Sequence, residues 1–177
     1  MAFTVFESIN MQSTAHGGRI YDCVAEEAIE NGTVGYIEEL ADGESHIYKF
    51  VKGAKDKCDP LVVDQPAWTE DTSKITNQRR DNFVNKPGVP FRARRLATHD
   101  VFGVTIEGFT SASQAEAKVG AYVTIDTTTG KFVAQKTAPE SGSYGKIERE
   151  RIAGGALATT AHNYGHAMKI FEIRIVH

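Results

Sequence analysis

The chain has 177 residues, 41% of them apolar and 24% charged, with a formal net charge of −3 at pH 7. That length fits one domain of ordinary size, long enough to bury a core without metal or disulfide staples. The slight acidity argues against wrapping duplex DNA, which needs many clustered cations, and no apolar run approaches the about 18 residues of a membrane-spanning helix.

The opening "MAFTVFESIN" has neither the basic start nor the long apolar stretch of a secretion leader. Residues 1–30 read as an N-terminal arm: one short alternating run, "FTVFESI", then "NMQSTAHGGR" with no apolar period. Phe3, Val5 and Phe6 are the residues by which such an arm would grip a neighbour, adding a strand to it; the competing expectation is a strand in the protein's own sheet. "YDCVAEEAIENG" (21–32) offers a helix, with Asp22 as cap, Val24, Ala25, Ala28 and Ile29 as an apolar stripe and Gly32 as stop. An extended conformation fits the same run. Cys23 and Cys58 lie in no Cys-x-x-Cys or Cys/His cluster and read as packing residues of a reducing compartment.

From residue 31 onward strand signals recur between turn residues. "TVGYIEEL" (33–40) and "SHIYKFV" (45–51) flank Asp42-Gly43, a hairpin signal. "PLVVDQP" (60–66) is a short apolar run closed by proline. Residues 69–90 are polar, end in a Pro-Gly-x-Pro stretch, and are too long for an ordinary connection in a compact domain. "FRARRLA" (91–97) and "VFGVTIEGF" (101–109) alternate. "AYVTID" (121–126) and "KFVAQ" (131–135) enclose Thr-Thr-Thr-Gly, where Gly130 can adopt a left-handed turn conformation at no steric cost. After a loop at 136–143, "YGKIERERI" (144–152) is charged and alternating. "MKIFEIRIV" (168–176) puts Phe171, Ile173 and Ile175 on one face and Glu172 and Arg174 on the other. The fold class is therefore all-β: an antiparallel sandwich or barrel of about eight to ten short strands over residues 31–177, with at most one short helix. No internal repeat is present.

Motifs with chemical meaning are few. His162 and His166 have helical i, i+4 spacing, but Asn163 stands where a zinc protease needs its glutamate, and Gly165 weakens a helix. They read as loop histidines. Gly154-Gly155 lacks the spacing of a phosphate-binding loop, and no nucleophile elbow occurs. Glu26-Glu27 and Glu38-Glu39 are adjacent pairs, which in a strand point to opposite faces and do not make an acid/base couple. No catalytic, cofactor-binding or metal-binding residue is assigned, and an enzyme is not expected. In "NKPGVPFRARR" (85–95), Arg92 and Arg94 share one side of a strand, with Phe91, Ala93 and Arg95 on the other. Arg79 and Arg80 lie upstream. Single-stranded nucleic acid would require aromatics interleaved with these cations, and only Phe83 and Phe91 are near. Arg92 and Arg94 are expected to face water or a protein partner, whose carboxylates arginine favours.

The order of segments carries one resemblance. "NGTVGYIEELADGESHIYKF", "PLVVDQPAW", "RRDNFVNKPGVPFRARRLATHDVFGVTIEGF", "VGAYVTIDTTTGKFVAQ" and "YGKIERERI" resemble, in sequence and spacing, the decoration or cement proteins of tailed-bacteriophage heads. The shared features are an early "NG…GY" strand ahead of a "GE…YK" strand, the "N-K-x-G-x-x-F-R-A-R" stretch, a "D-x-F" strand and a "G-x-Y/F-V-x-x-D" hairpin with Gly-Lys in its turn. The similarity covers residues 31–152. It implies a virion protein, made in the host cytoplasm, that sits on the outer surface of the assembled capsid. Its partner would be the major capsid protein, and it would act as a small homo-oligomer, a trimer being favoured. It implies no cofactor, no direct nucleic-acid contact and no membrane. Another virion structural role, such as a tail or connector component, shares the all-β build, and an enzyme of unknown type is the more distant alternative.

Overall fold

The computed structural model describes residues 2–15, 19–55, 58–67, 80–140, 142–153 and 168–176. Its eleven strands form a six-stranded sheet and a closed five-stranded barrel, so the all-β expectation holds. The strands are β1 (Phe6–Asn10), β2 (Ile20–Val24), β3 (Val34–Leu40), β4 (Ile47–Lys52), β5 (Leu61–Val63), β6 (Phe91–Arg95), β7 (Val101–Thr105), β8 (Tyr122–Ile125), β9 (Phe132–Gln135), β10 (Gly145–Ala153) and β11 (Met168–Ile175). The sheet runs β1-β7-β11-β10-β8-β9 and the barrel β2-β4-β3-β5-β6. Each of the nine runs expected as strands between residues 33 and 176 forms one. In the seventh-strand run, "VFGVTIEGF", pairing stops at Thr105 and a 3-10 turn follows at Ile106–Gly108.

Two expectations for the first thirty residues give way. The described residues among them do not stand apart as an arm. β1 pairs antiparallel with β7, Phe6 opposite Val104 and Ser8 opposite Phe102, and β2 lies in the barrel, parallel to β4 and antiparallel to β6. The 21–32 run is not helical. Its first part is β2, and Ile29 bridges to Asn85. Cys23 and Ile29 are buried in the barrel core while Glu26, Glu27 and Ala28 are exposed; packing into the barrel overrides a weak helical stripe, as tertiary context commonly does. The helix that does form, α1 (Gln12–Ala15), is a single turn where no apolar period announces it.

Alternation decides which side chains fill each core. In the barrel, Phe91 and Ala93 of β6 point inward with Cys23, Phe50, Leu61 and Val63. Gly35 of β3 is required there: a Cβ on it would lie 2.4 Å from Phe50 Cζ and 2.3 Å from the Val51 carbonyl oxygen. The sheet packs Phe6, Phe102, Phe109, Phe132, Phe171, Ile147 and Ile173 into one cluster, with Phe6–Phe102 and Phe102–Phe132 stacked at 5.4 and 5.5 Å and Phe109 edge-on to Phe171 at 5.6 Å. Val34, Val62 and Leu96 of the barrel strands and their flank belong to this same cluster, so the two sheets share a core.

A backbone joint locks them. In the β8–β9 turn, Asp126 Oδ1 accepts from the Thr128 and Thr129 N–H groups at 3.1 and 2.6 Å, and Gly130 takes the left-handed φ of 68°. The Gly130 carbonyl then accepts from the Val34 N–H of the barrel at 2.8 Å, the Val34 carbonyl accepts from Gly53 at 2.9 Å, and the Thr127 carbonyl accepts from Ala54 at 3.2 Å.

Candidate functional site

The stretch "NKPGVPFRARR" is absorbed largely into structure. Asn85 is buried and donates through Nδ2 to the Ile29 carbonyl at 2.9 Å and to Asn31 Oδ1 at 3.2 Å. Asn31 in turn donates to the Gln65 carbonyl and accepts its N–H. Two asparagines thus tie three connections together, because buried amide groups must find partners. The Gly88 N–H donates to the Ala25 carbonyl at 2.9 Å. Arg94 Nε donates to Asp64 Oδ2 at 2.5 Å, with both side chains mostly buried. Arg95 Nη2 donates to Asp59 Oδ1 at 2.8 Å. Of the three arginines, only Arg92, half-buried, has no side-chain hydrogen bond or ion pair among the described residues; its backbone N–H takes Gln65 Oε1 at 3.2 Å.

The N-terminal residues proposed as a grip are equally engaged. Val5 and Phe6 are 2% and 3% exposed. The Val5 N–H donates to Thr105 Oγ1 at 3.1 Å. Phe3, half-buried, donates its N–H to the Asp81 carbonyl at 2.8 Å. Of the five residues expected to contact a partner, Phe3, Val5, Phe6, Arg92 and Arg94, the structure leaves one guanidinium, that of Arg92, unspent. Arg79, Gly154, Gly155, His162 and His166 lie outside the described residues.

A larger charged feature lies on the face of the six-stranded sheet that looks away from its core. The "ERER" run of β10 folds back beside β11, where a bulge at Glu148 puts Arg149 opposite Glu172 and Arg151 opposite Ile170. Arg149 grips Glu172 with two hydrogen bonds, Nε at 3.0 Å and Nη2 at 2.7 Å. Arg151 donates to Glu172 at 2.8 Å and also pairs with Glu7 of β1. Arg80 closes the chain, donating to Glu7 Oε1 at 2.6 Å and to the Phe6 carbonyl at 3.0 Å. Glu172 is buried, at 8% exposure. Hydrogen bonding from Arg149, against the opposing cost of burial, holds its carboxyl below the usual value of 4.5. Ile170 beneath this network is fully buried, seated where Gly103 of β7 has no side chain: a Cβ there would come within 2.7 Å of Ile170 Cγ2. Arg149 keeps 66% of its side chain exposed and can still offer donors to an outside carboxylate.

Reading the residues in order missed this network, since Glu7 and Arg151 are 144 positions apart. The alternation of "ERERI" signalled a polar face and could not name its partners. Elsewhere the chemistry is quiet. Burial pushes the Cys23 thiol up to about 12, which keeps it protonated and unreactive. Among the described residues, no three His, Cys, Asp or Glu side chains are grouped to hold a metal ion, and no helix is long and apolar enough to cross a membrane. Comparison with protein-family models, with curated proteins and with solved structures gives no match to this chain.

Proposed function

We propose that this chain is a structural virion protein that binds the outer surface of an assembled phage capsid and stabilises it. The observation that carries the reading is the order of segments across residues 31–152 that resembles head-decoration proteins. The fold is in keeping with it: those segments supply four of the five barrel strands and four of the six sheet strands, packed through a shared cluster and a backbone joint, and a rigid body of this kind can brace neighbouring subunits. The mechanism is mass action. A protein that binds the built shell and not its free subunits shifts the equilibrium toward the shell, and a small homo-oligomer, in the first instance a trimer, adds avidity by touching several subunits at once. Arg92 on the barrel, and Arg149 on the sheet with most of its side chain exposed, are guanidinium groups with capacity left for carboxylates of the major capsid protein.

The test is co-sedimentation of the purified chain with phage shells that lack it, with the heat stability of the shells as second readout. Saturable binding that raises the temperature of shell disruption is expected, weakened by Arg92→Glu. A chain that stays in the supernatant at every shell concentration overturns the proposal. Labelled chain found only on tails or at the connector would assign it to another part of the virion.

A further inference from the structure

A cleft of about 300 Å³ opens between the barrel and the six-stranded sheet. Its floor is apolar: Leu96, Val123, Phe132 and Ile173, with Ile125 and Ile175 only half-buried. Its rim carries Arg19, Arg95 and Asp59. Arg95 is paired with Asp59 at 2.8 Å, whereas among the described residues Arg19 donates only to the neutral Gln12 Oε1, at 2.6 Å. Among the described residues the rim therefore holds one positive charge in excess, beside an apolar floor that stays partly open to solvent. An apolar hollow with a few converging polar groups is the usual form of a small-ligand site. At the ~30 Å³ that a water-sized group fills, this one takes about ten such groups. The rim guanidinium would bind a carboxylate more tightly than a neutral group, and the floor would desolvate an attached hydrocarbon. A cationic head would be repelled.

We propose that this cleft is a binding site for a small monocarboxylate with an apolar body of about eight to ten carbon atoms, its head on Arg19 and its body against Ile125 and Ile175. The site is independent of the capsid reading and is tested on the purified chain alone, so either can fail without the other. The probes are n-octanoate, n-octanol and n-octylamine, followed by methyl NMR of the whole chain. Octanoate is expected to shift the Ile125 and Ile175 methyl resonances saturably, with octanol about tenfold weaker, as loss of one charge-assisted hydrogen bond implies, and octylamine weaker still. Arg19→Gln should cut octanoate affinity by about the same tenfold factor without touching octanol. Ala97→Trp, which fills the cleft from its wall, should abolish the shifts; Thr98→Trp at the exposed rim serves the same purpose if the first variant fails to fold. The proposal is overturned if octanoate shifts neither methyl, if the three probes bind alike, or if binding survives a folded plugged variant.

Discussion

Single atoms decide how much this chain tolerates. Gly130 combines a left-handed backbone with a site where a Cβ would lie 2.1 Å from the Val34 carbonyl oxygen. Gly88 has a similar φ of 70° but open space around it. Alanine at Gly88 should cost only the backbone strain, about 1 kcal/mol, whereas Gly130→Ala must also push the turn off the barrel and should cost more than about 2 kcal/mol. Urea denaturation of the two variants compares them, and equal losses would mean that the joint does not bind the two sheets. The cysteines give a second check. Cys23 is fully buried with its thiol raised, and Cys58 is half-buried. A thiol reagent at pH 8 should label Cys58 in the native protein and reach Cys23 only after denaturation. Rapid native labelling at both would mean that the barrel opens easily.

At the scale of elements, β1 and the β10–β11 hairpin hold the six-stranded sheet. β1 carries Phe6 into the core and Glu7 into the ion network. Removing residues 1–15 is therefore expected to unmake the fold rather than release a tether: burial of a single large apolar side chain stabilises by about 1.5–3 kcal/mol, and Val5, Phe6 and Met11 would all be lost. Circular dichroism of the truncated chain would show this, and a folded product would restore the free-arm picture. The hairpin gives a pH dependence. The Glu172 carboxyl is held below its usual 4.5 in the folded chain by its bonds from Arg149 and Arg151. A lowered folded-state value means stability that is present in full above pH 4.5 and is lost as pH falls through the lowered value. Glu172→Gln should thus lower the thermal midpoint at pH 7 and make it less sensitive to acid. A variant that retains the wild-type acid dependence would show that the network does not contribute it.

For the whole molecule, the shared core predicts one cooperative transition. Val34 and Val62 sit in barrel strands yet pack in the sheet's cluster beside Phe102 and Phe132, so loss of the sheet's core also strips packing from two barrel strands. Calorimetry should give a single peak whose van't Hoff and calorimetric enthalpies agree. Phe102→Ala should move that peak by about 3–5 kcal/mol in stability without splitting it. Two resolved peaks would mean that the barrel and sheet are separate folding units.

What the sequence determined by itself is local. Period-two alternation named nine strands and the inward faces of β6 and β11, and the Asp-Gly and Thr-Gly turns named two hairpins, because side-chain direction and turn chemistry depend on a few neighbouring residues. The fate of "NKPGVPFRARR" was only half legible. Phe91 and Ala93 declared themselves by alternation, while the partners of Asn85, Arg94 and Arg95 did not. Only the tertiary structure decided that β2 runs parallel to β4, that five strands close on themselves, that the first residues belong to the sheet, and that Glu7 meets Arg151 across the chain. Strand order and ion pairing are chosen by which distant surfaces bury each other with their polar groups satisfied, and the period of a short segment carries no information about its distant partner.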